Sequence, residues 1–259
     1  MTKVITVGNS GGSAGKTTTT VSLAALLAQA GTRVLVVDTD VQATATSWLG
    51  ITPDETATIG DVMLGIKTID EVAVATNTDN VWLVPAWRGL EEQVQRLAGK
   101  VAPQQQLAQA IGNATISADV MLVDSPGAGS IMKVATLMAA DMALTVTVPG
   151  WKEIAGVGAF MSLVDEVTQA RFWKPGLKTV GVVPCDVPPA NAGDHYKELM
   201  SFMRAQEWAD LMTPPIRQTV RVREALAAAT PLPLWAPREP VTADYRAVVD
   251  WLTAKRVID

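Results

Sequence analysis

Cysteine and histidine are nearly missing from this sequence of 259 residues, which contains one of each, Cys185 and His195. A lone cysteine excludes a disulfide within the chain, and it excludes a cysteine-rich zinc or iron–sulfur site built by one chain. A lone histidine argues against a histidine-based metal cluster. The two absences remove the classes of structural and metal site that depend on these residues.

Charge and long apolar runs are also scarce. Charged residues make up 18% of the chain and the net charge is -5, so any DNA or membrane binding requires a local patch. The longest apolar stretch, residues 134–148, is broken by Asp141 and is shorter than the roughly 20 residues that span a bilayer. Only residues 4–7 separate Lys3 from a glycine-rich stretch, so we expect no signal peptide. We expect a soluble, cytoplasmic protein with no membrane partner.

Short apolar runs typical of buried strands alternate with segments of helical spacing along the whole chain. The predicted strands are residues 4–7, 33–37, 81–84, 120–123, 143–148 and 179–183. The predicted helices are residues 17–30, 90–97, 104–111, 131–140, 154–169, 197–206 and 241–256. This order predicts one α/β domain, residues 1–259, with a mostly parallel twisted sheet and helices on both faces.

A glycine-rich loop joins the first strand to the first helix. Residues 9–18 read N-S-G-G-S-A-G-K-T-T, which fits the phosphate-loop template G-x-x-x-x-G-K-[ST] except at Ser10, where the template has glycine. A loop in this position directs backbone N–H groups and the helix dipole at an anion. Lys16 is placed to reach the β- and γ-phosphates of a nucleotide, and the Thr17 hydroxyl is placed to bind Mg²⁺.

Three aspartates follow predicted strands on the same edge of the sheet. Asp38 and Asp40 come directly after the second strand, and Asp124 ends the strand that begins at Val120. A carboxylate in such a position commonly holds Mg²⁺ in P-loop enzymes. A capping role explains one such aspartate, but it explains three around one phosphate loop poorly.

Three motifs together resemble those of the ParA/MinD family of deviant Walker A P-loop ATPases: G-G-S-A-G-K-T-T, D-T-D-V-Q-A-T-A-T and L-V-D-S-P-G. The similarity is greatest to the short ParA-type plasmid and chromosome partition ATPases. In that family a serine at the position of Ser10 is normal, whereas Val41 stands where the family has proline. The resemblance runs over nearly the whole chain and is most specific in its first half.

The resemblance implies that the α/β fold is P-loop NTPase-like, and it implies a site for ATP or ADP with Mg²⁺. Lys16 and Asp40 are the implied catalytic residues, with Asp40 positioning the attacking water, and Thr17, Asp38 and Asp124 are the implied metal-holding residues, the two aspartates through water. The implied nucleotide-binding residues are Gly11, Gly12, Ser13, Ala14, Gly15, Lys16, Thr17 and Thr18, with Asp186, Pro214 and Pro215 as candidates for the adenine pocket.

One departure from the family pattern is serious. The signature lysine, which in the family crosses an ATP-bound dimer to the other subunit's phosphates, corresponds to Gly11. A cation supplied in trans can be worth ~10³–10⁵ in rate, so its loss calls for a substitute. Lys152 is the better candidate and Lys133 the second, since each follows a strand end that borders the dimer face in relatives. The alternative is that both are ordinary surface lysines.

The resemblance also implies a cycle of partners. ATP binding forms a homodimer, the dimer binds DNA without sequence preference, and a ParB-like centromere-binding protein stimulates slow hydrolysis. Arg217, Arg221 and Arg223 are the candidate DNA contacts; Arg217 and Arg221 share a face if their segment is helical. Trp151, beside Lys152, is a candidate dimer contact.

Two alternative functions stay open. A MinD-like ATPase that acts at the membrane surface needs an amphipathic lipid anchor, but the C-terminal segment carries both charge signs and favours a packing helix. An ATP-dependent ligase of the dethiobiotin-synthetase type needs a dedicated substrate pocket, and the sequence identifies none.

Overall fold

The strands form one sheet in the computed structural model, which describes residues 2–9, 11, 15–52, 57–127, 131–189 and 191–258. Within those residues the strands are β1 Lys3–Gly8, β2 Val34–Asp38, β3 Val74–Ala75, β4 Val81–Val84, β5 Val120–Asp124, β6 Met142–Thr147 and β7 Lys178–Pro184. Their order is β3-β4-β2-β5-β1-β6-β7. All neighbours run parallel except β3 and β4, so the predicted mostly parallel sheet is confirmed.

Helices connect the strands. Over the same residues they are α1 Lys16–Gln29, α2 Thr44–Trp48, α3 Ile59–Met63, α4 Ile69–Val72, α5 Leu90–Ala98, α6 Gln106–Asn113, α7 Ile131–Ala139, α8 Trp151–Ala170, α9 Asp194–Arg204, α10 Arg221–Ala227, α11 Leu232–Trp235 and α12 Pro240–Ala254. Every predicted helix is present within a few residues of its predicted bounds. The prediction missed β3 and the short helices α2, α3, α4, α10 and α11, because so few residues show no reliable periodicity.

Each face of the sheet has its own apolar core. In β2, Val34 and Val36 pack in one core, whereas Leu35 and Val37 pack in the other. Alternate residues of a strand point to opposite faces, so a strand covered on both sides must be apolar throughout. The unbroken apolar runs in the sequence follow from this two-sided burial.

The C-terminal helix is part of the first core. Val241, Tyr245, Val248 and Leu252 on α12 are buried in the cluster that also contains Val21 of α1. The packing helix expected for this segment is therefore confirmed. Over the residues that the structure covers, no helix has the length and apolar character needed to cross a bilayer.

The strand order places the chemistry-bearing loops side by side. The central neighbours β2, β5 and β1 all run in one direction, and their carboxyl ends lie at the same edge. Asp38 and Asp124 are aligned in the register of β2 and β5, and Val7 is aligned with Asp124 across β1. Loops that follow these strands meet above this edge, where ligands bind in open α/β sheets.

Burial of α12 predicts a stability difference between two leucines. Leu252 is 2% exposed, whereas Leu234 on α11 is 37% exposed. We expect Leu252→Ala to lower the free energy of unfolding by about 2–5 kcal/mol, because it removes buried methyl groups and leaves a cavity. Leu234→Ala is the control, with an expected loss below about 1 kcal/mol. Urea unfolding of the three proteins measures both values, and equal losses would contradict the packing of α12.

Candidate nucleotide and magnesium site

Gly15 ends the loop between β1 and α1 and directly precedes the helix. Gly15 has a φ of 87°, in the left-handed region that favours glycine. A Cβ atom at Gly15 would lie 3.1 Å from the Cβ and Sγ atoms of the buried Cys185. Conformation and close packing both require glycine here. Three predicted loop residues, Gly12, Ser13 and Ala14, lie outside the described residues.

Lys16 begins α1 and is buried, with 6% of the residue exposed. Its ammonium donates a 3.3 Å hydrogen bond to the Gly11 carbonyl. Burial lowers the pKa of Lys16, while the charges of Asp124 and Asp40 act in the opposite direction. The predicted phosphate-binding cation thus lies close to two of the predicted aspartates.

Asp124 accepts hydrogen bonds from two hydroxyl groups of α1. Thr17 Oγ1 donates to Oδ2 at 2.7 Å, and Thr20 Oγ1 donates to Oδ1 at 3.2 Å. The structure therefore brings together two of the predicted metal-holding residues, Thr17 and Asp124. Thr20 was missed by the sequence analysis, although its place one helical turn after Lys16 was a usable signal.

Asp38 is fixed by the segment that follows β2. Its Oδ2 accepts bonds from the Thr46 amide at 2.9 Å and the Thr46 hydroxyl at 2.7 Å, and its Oδ1 accepts from the Asp40 amide at 3.1 Å. Asp40 is half-buried, and its Oδ1 accepts from the Gln42 amide at 3.0 Å. These bonds orient both carboxylates, and the role of Thr46 explains the final threonine of the motif D-T-D-V-Q-A-T-A-T.

Burial disfavours the negatively charged forms of Asp38 and Asp124. Burial, reinforced by the charge of Asp38, raises the pKa of Asp124 to about 8. Burial also raises the pKa of Asp38, to about 6, against the bonds from Thr46 that lower it. A divalent cation beside them would stabilise the charged forms.

The donor set fits Mg²⁺ bound together with a nucleotide. Within the residues that the structure covers, no group of three or more His, Cys, Asp or Glu side chains is arranged to hold a metal by itself. Mg²⁺ usually takes one or two carboxylates and completes its shell with water and phosphate oxygens. Thr17, Asp124 and Asp38 supply oxygen atoms of this kind.

A cavity of about 580 Å³ opens beside the phosphate loop. Gly15, Thr18 and Asp186 line it, so the structure brings the predicted Asp186 next to the loop. Pro214 and Pro215 line a neighbouring cavity of about 470 Å³ instead. Further residues of the first cavity were missed, because they come from chain segments that only the fold brings together. They include Thr219, Val220, Val222 and Tyr245.

The two candidate substitute lysines have different surroundings. Lys152 is exposed as the second residue of α8, and it makes no ion pair with any residue that the structure describes. Lys133 on α7 is 3% exposed, and its ammonium donates to the carbonyls of Asn9 at 2.9 Å and Gly127 at 3.1 Å. Lys133 thus bonds loops of its own chain, whereas Lys152 faces outward.

The three candidate DNA-binding arginines do not share one helical face. Helix α10 begins at Arg221, and Arg217 lies before it, in an isolated bridge with Val187, so the condition for a shared face is not met. Arg217 pairs with Asp244 through two bonds of 2.6 and 2.7 Å.

The other two arginines differ from each other in their partners. Arg221 pairs with Glu224 at 2.8 Å and Glu239 at 3.3 Å. Arg223 is exposed, and it makes no ion pair in the part of the chain that is described. Arg217 and Arg223 both line the cavity at the phosphate loop.

Trp151, the candidate dimer contact, is exposed at the start of α8. Its ring lies against Phe202 of α9, with 4.9 Å between the ring centroids. Two aromatic side chains that remain exposed together form an apolar surface directly beside Lys152.

Comparison with known proteins supports the expected family and fold. The family model AAA_31, described as an AAA domain, matches residues 2–178, more than half of the chain. The chromosome partitioning protein ParA of Caulobacter vibrioides is 27% identical over 238 residues, which cover 90% of this chain and 87% of ParA. The similarity to ParA-type ATPases expected from the motifs is confirmed.

Two solved structures show the same fold with ligands of their own. A variant of McdA from Cyanothece in complex with ATP has a TM-score of 0.86 at 22% identity, covering 97% of this chain and 96% of McdA. Cobyrinic acid a,c-diamide synthase from Mycobacterium smegmatis, with bound ADP and magnesium, has a TM-score of 0.81 at 26% identity. That match covers 98% of this chain and 94% of the synthase.

Because the pKa of Asp124 is raised, we predict that removing its charge stabilises the protein, by an amount that depends on pH. Folded Asp124 binds its proton more tightly than an unfolded aspartate, so this group makes the metal-free protein less stable as the pH rises from about 4 to about 8. We expect Asp124→Asn to raise the melting temperature, and to raise it more at pH 8.5 than at pH 5. Thermal unfolding without nucleotide or metal measures this difference.

Asp119→Asn is the control for that prediction. Asp119 is an exposed carboxylate whose hydrogen bonds from Arg33 lower its pKa to about 2, so neutralising it brings no gain. A gain for Asp124→Asn that is the same at both pH values would mean that its buried charge is not the cause.

Proposed function

The chain belongs to the AAA_31 family and is a P-loop ATPase, and from this premise we propose that it is a Mg²⁺-dependent partition ATPase. ATP binding drives homodimerisation, the dimer binds DNA without sequence preference, and a ParB-like centromere-binding partner stimulates hydrolysis and release. The protein then acts in the cytoplasm and associates with the nucleoid in its ATP-bound form. The observation that carries this proposal is the contact of Thr17 with Asp124, beside the buried Lys16 and the aligned Asp38.

The site residues divide the work of ATP hydrolysis. Lys16 binds the phosphates together with the backbone amides of residues Ser13 to Thr18. Mg²⁺, when bound, neutralises charge on the β- and γ-phosphates, and Thr17, Asp124 and Asp38 would hold it. Asp40 positions the attacking water, and the bond from the Gln42 amide fixes its carboxylate for that task. The cavity beside Gly15, with Asp186 on its wall, takes the nucleoside, and Pro214 and Pro215 lie in the neighbouring cavity.

Lys152 supplies the cation that Gly11 lacks, across the dimer. It stands at the N-terminus of the 20-residue helix α8, where the helix dipole disfavours a positive charge. Helix α8 follows β6, the sheet neighbour of β1, so Lys152 lies at the edge that carries the phosphate loop. A cation in an electrostatically unfavourable and exposed position suits an anion that a second subunit brings. Trp151 and Phe202 beside it suit the apolar part of the same interface.

Arg223, with Arg217 and Arg221, forms the DNA-binding surface. Arg223 is exposed and ready for a phosphate contact. Arg221 is paired with Glu224 and Glu239, but all three side chains are exposed, so solvent weakens these pairs and phosphate oxygens can replace the carboxylates. Arg217 also has an exposed guanidinium, although its partner Asp244 is largely buried. A dimer presents two such surfaces, which compensates for the net negative charge of the chain.

The alternative functions have less support. The membrane-surface function needs an amphipathic anchor, whereas the apolar face of α12 is buried in the core. The ligase function is represented by a fold relative, the cobyrinic acid a,c-diamide synthase, and it requires a substrate pocket beyond the nucleotide cavity.

The proposed cycle predicts DNA binding that depends on ATP and on salt. We expect wild type to retain DNA only with ATP, Lys16→Ala to lose retention, and Asp40→Ala to retain DNA persistently because hydrolysis is blocked. A DNA retention assay and liposome sedimentation, each with and without ATP, measure these outcomes. Liposome binding without DNA binding would favour the membrane function, and neither form of binding would favour the ligase.

The arginine surface is tested in the same assay. Arg223→Glu is expected to weaken retention and flatten its salt dependence, since one phosphate contact is lost and a repulsion is added. Arg238→Glu is the matched control. Arg238 is also exposed but is not one of the three candidate arginines, and this substitution changes the charge by the same amount.

The trans role of Lys152 predicts rescue by a lysine at Gly11. The φ of Gly11 is not in the left-handed region, and a Cβ there would lie 3.5 Å from Asn9 Oδ1, an ordinary contact. We expect Lys152→Ala to lower ATP turnover by ~10²-fold or more and to weaken ATP-dependent dimerisation. Gly11→Lys combined with Lys152→Ala is expected to restore both, as measured by phosphate release and analytical ultracentrifugation.

Lys178→Ala is the control for Lys152→Ala, because Lys178 is an exposed lysine at the opposite end of the sheet, at the start of β7. Wild-type turnover and dimerisation in Lys152→Ala would show that Lys152 is an ordinary surface lysine.

A further inference from the structure

Among the residues that the structure describes, a buried lysine near the phosphate loop has no negatively charged partner. Lys133 is one of the buried residues of α7, and its ammonium makes two hydrogen bonds, both to backbone carbonyls. Within the part of the chain that the structure describes, no carboxylate lies within 4.0 Å of that ammonium. An ammonium carries three donors, and a buried one that lacks an anion is unfavourable.

The two carbonyls belong to the two loops that make the site. Asn9 follows β1 and opens the phosphate loop, and Gly127 follows β5, three residues after Asp124. Since β1 and β5 are neighbours in the sheet, Lys133 joins the phosphate loop to the loop on the metal-holding side. In the proposed site the terminal phosphate would lie on this side, next to the residues that would hold Mg²⁺.

The positive charge of Lys16 makes the buried charge of Lys133 still less favourable. Burial lowers the pKa of Lys133, and the nearby positive charge of Lys16 lowers it further. A neutral donor could join the two loops without this repulsion. Two buried ammonium groups at one loop instead match a ligand with several negative charges, and the polyphosphate of a nucleotide is such a ligand.

We propose that Lys133 is a phosphate-positioning residue that acts within its own chain and favours a nucleoside triphosphate over a diphosphate. Its ammonium adds to the charge of Lys16 and holds the loop after Asp124 against the phosphate loop when the terminal phosphate is present. This inference rests on the proposed ATPase function. It assigns Lys133 a cis role in place of the trans role that the family resemblance suggested, and it leaves the trans role to Lys152.

Nucleotide binding to Lys133→Met tests this role. Isothermal titration calorimetry with Mg²⁺ gives the Kd of ADP and of AMPPNP, a triphosphate analogue that is not hydrolysed. We expect the Kd of AMPPNP to rise roughly ten- to hundredfold, as for loss of a bond to a charged group, and that of ADP to rise less than about threefold. Lys133→Arg, which keeps the charge, is expected to stay near wild type for both.

Lys174→Met is the matched control. Lys174 also donates to a backbone carbonyl of α7, that of Ala139 at 2.8 Å, but at the opposite end of the helix and paired with Asp141. We expect unchanged affinity for both nucleotides in this variant. An equal loss of AMPPNP and ADP affinity in Lys133→Met would overturn the proposal, and so would unchanged affinity for both.

Two further measurements cover the remaining outcomes. If Lys133→Met does not fold, Lys133→Gln replaces it and the same ratio of affinities decides. In the wild type, amide hydrogen exchange of α7 is expected to be slower with AMPPNP than with ADP, and equal rates would overturn the proposal without any variant. If the wild type binds neither nucleotide, the proposed ATPase function itself fails, which differs from binding both without discrimination.

Discussion

The structure depends on one electrostatic constraint, which is the burial of two aspartates side by side at the ends of adjacent parallel strands. Asp38 and Asp124 are aligned in the register of β2 and β5, and burial raises the pKa of both. Hydroxyl groups of Thr17, Thr20 and Thr46 donate hydrogen bonds that orient the two carboxylates. A pair of this kind is costly without a cation, and this cost supports the proposed site for Mg²⁺ and phosphates at this edge of the sheet.

The positive charges are arranged around this pair in two layers. Lys16 and Lys133 are buried at the phosphate loop, whereas Lys152 stands exposed at the start of α8. In the proposed scheme the inner pair binds the phosphates of its own chain, and Lys152 reaches those of a second chain. In this scheme the trans cation that Gly11 lacks comes from one other element, helix α8, which carries Lys152.

The proposed DNA surface borders the nucleotide cavity. Arg217 and Arg223 line the cavity that Gly15 and Thr18 also line, and Arg217 is tied to α12 through Asp244. A nucleotide in this cavity would therefore lie beside the arginines that the proposal assigns to DNA. Such contact offers a short route by which ATP binding changes DNA affinity, without a long chain of intermediate residues.

The strands of the sheet, the long helices and the candidate phosphate- and metal-binding residues Lys16, Thr17, Asp38 and Asp124 could be predicted from the sequence, because apolar periodicity and phosphate-loop spacing are local signals. Which residues come into contact follows from the tertiary structure alone. It separated Pro214 and Pro215 from the cavity at Gly15, placed Arg217 outside α10, and buried Lys133 against its own loops. These contacts join residues far apart in the chain, and strand order and packing fix them where no short motif records them.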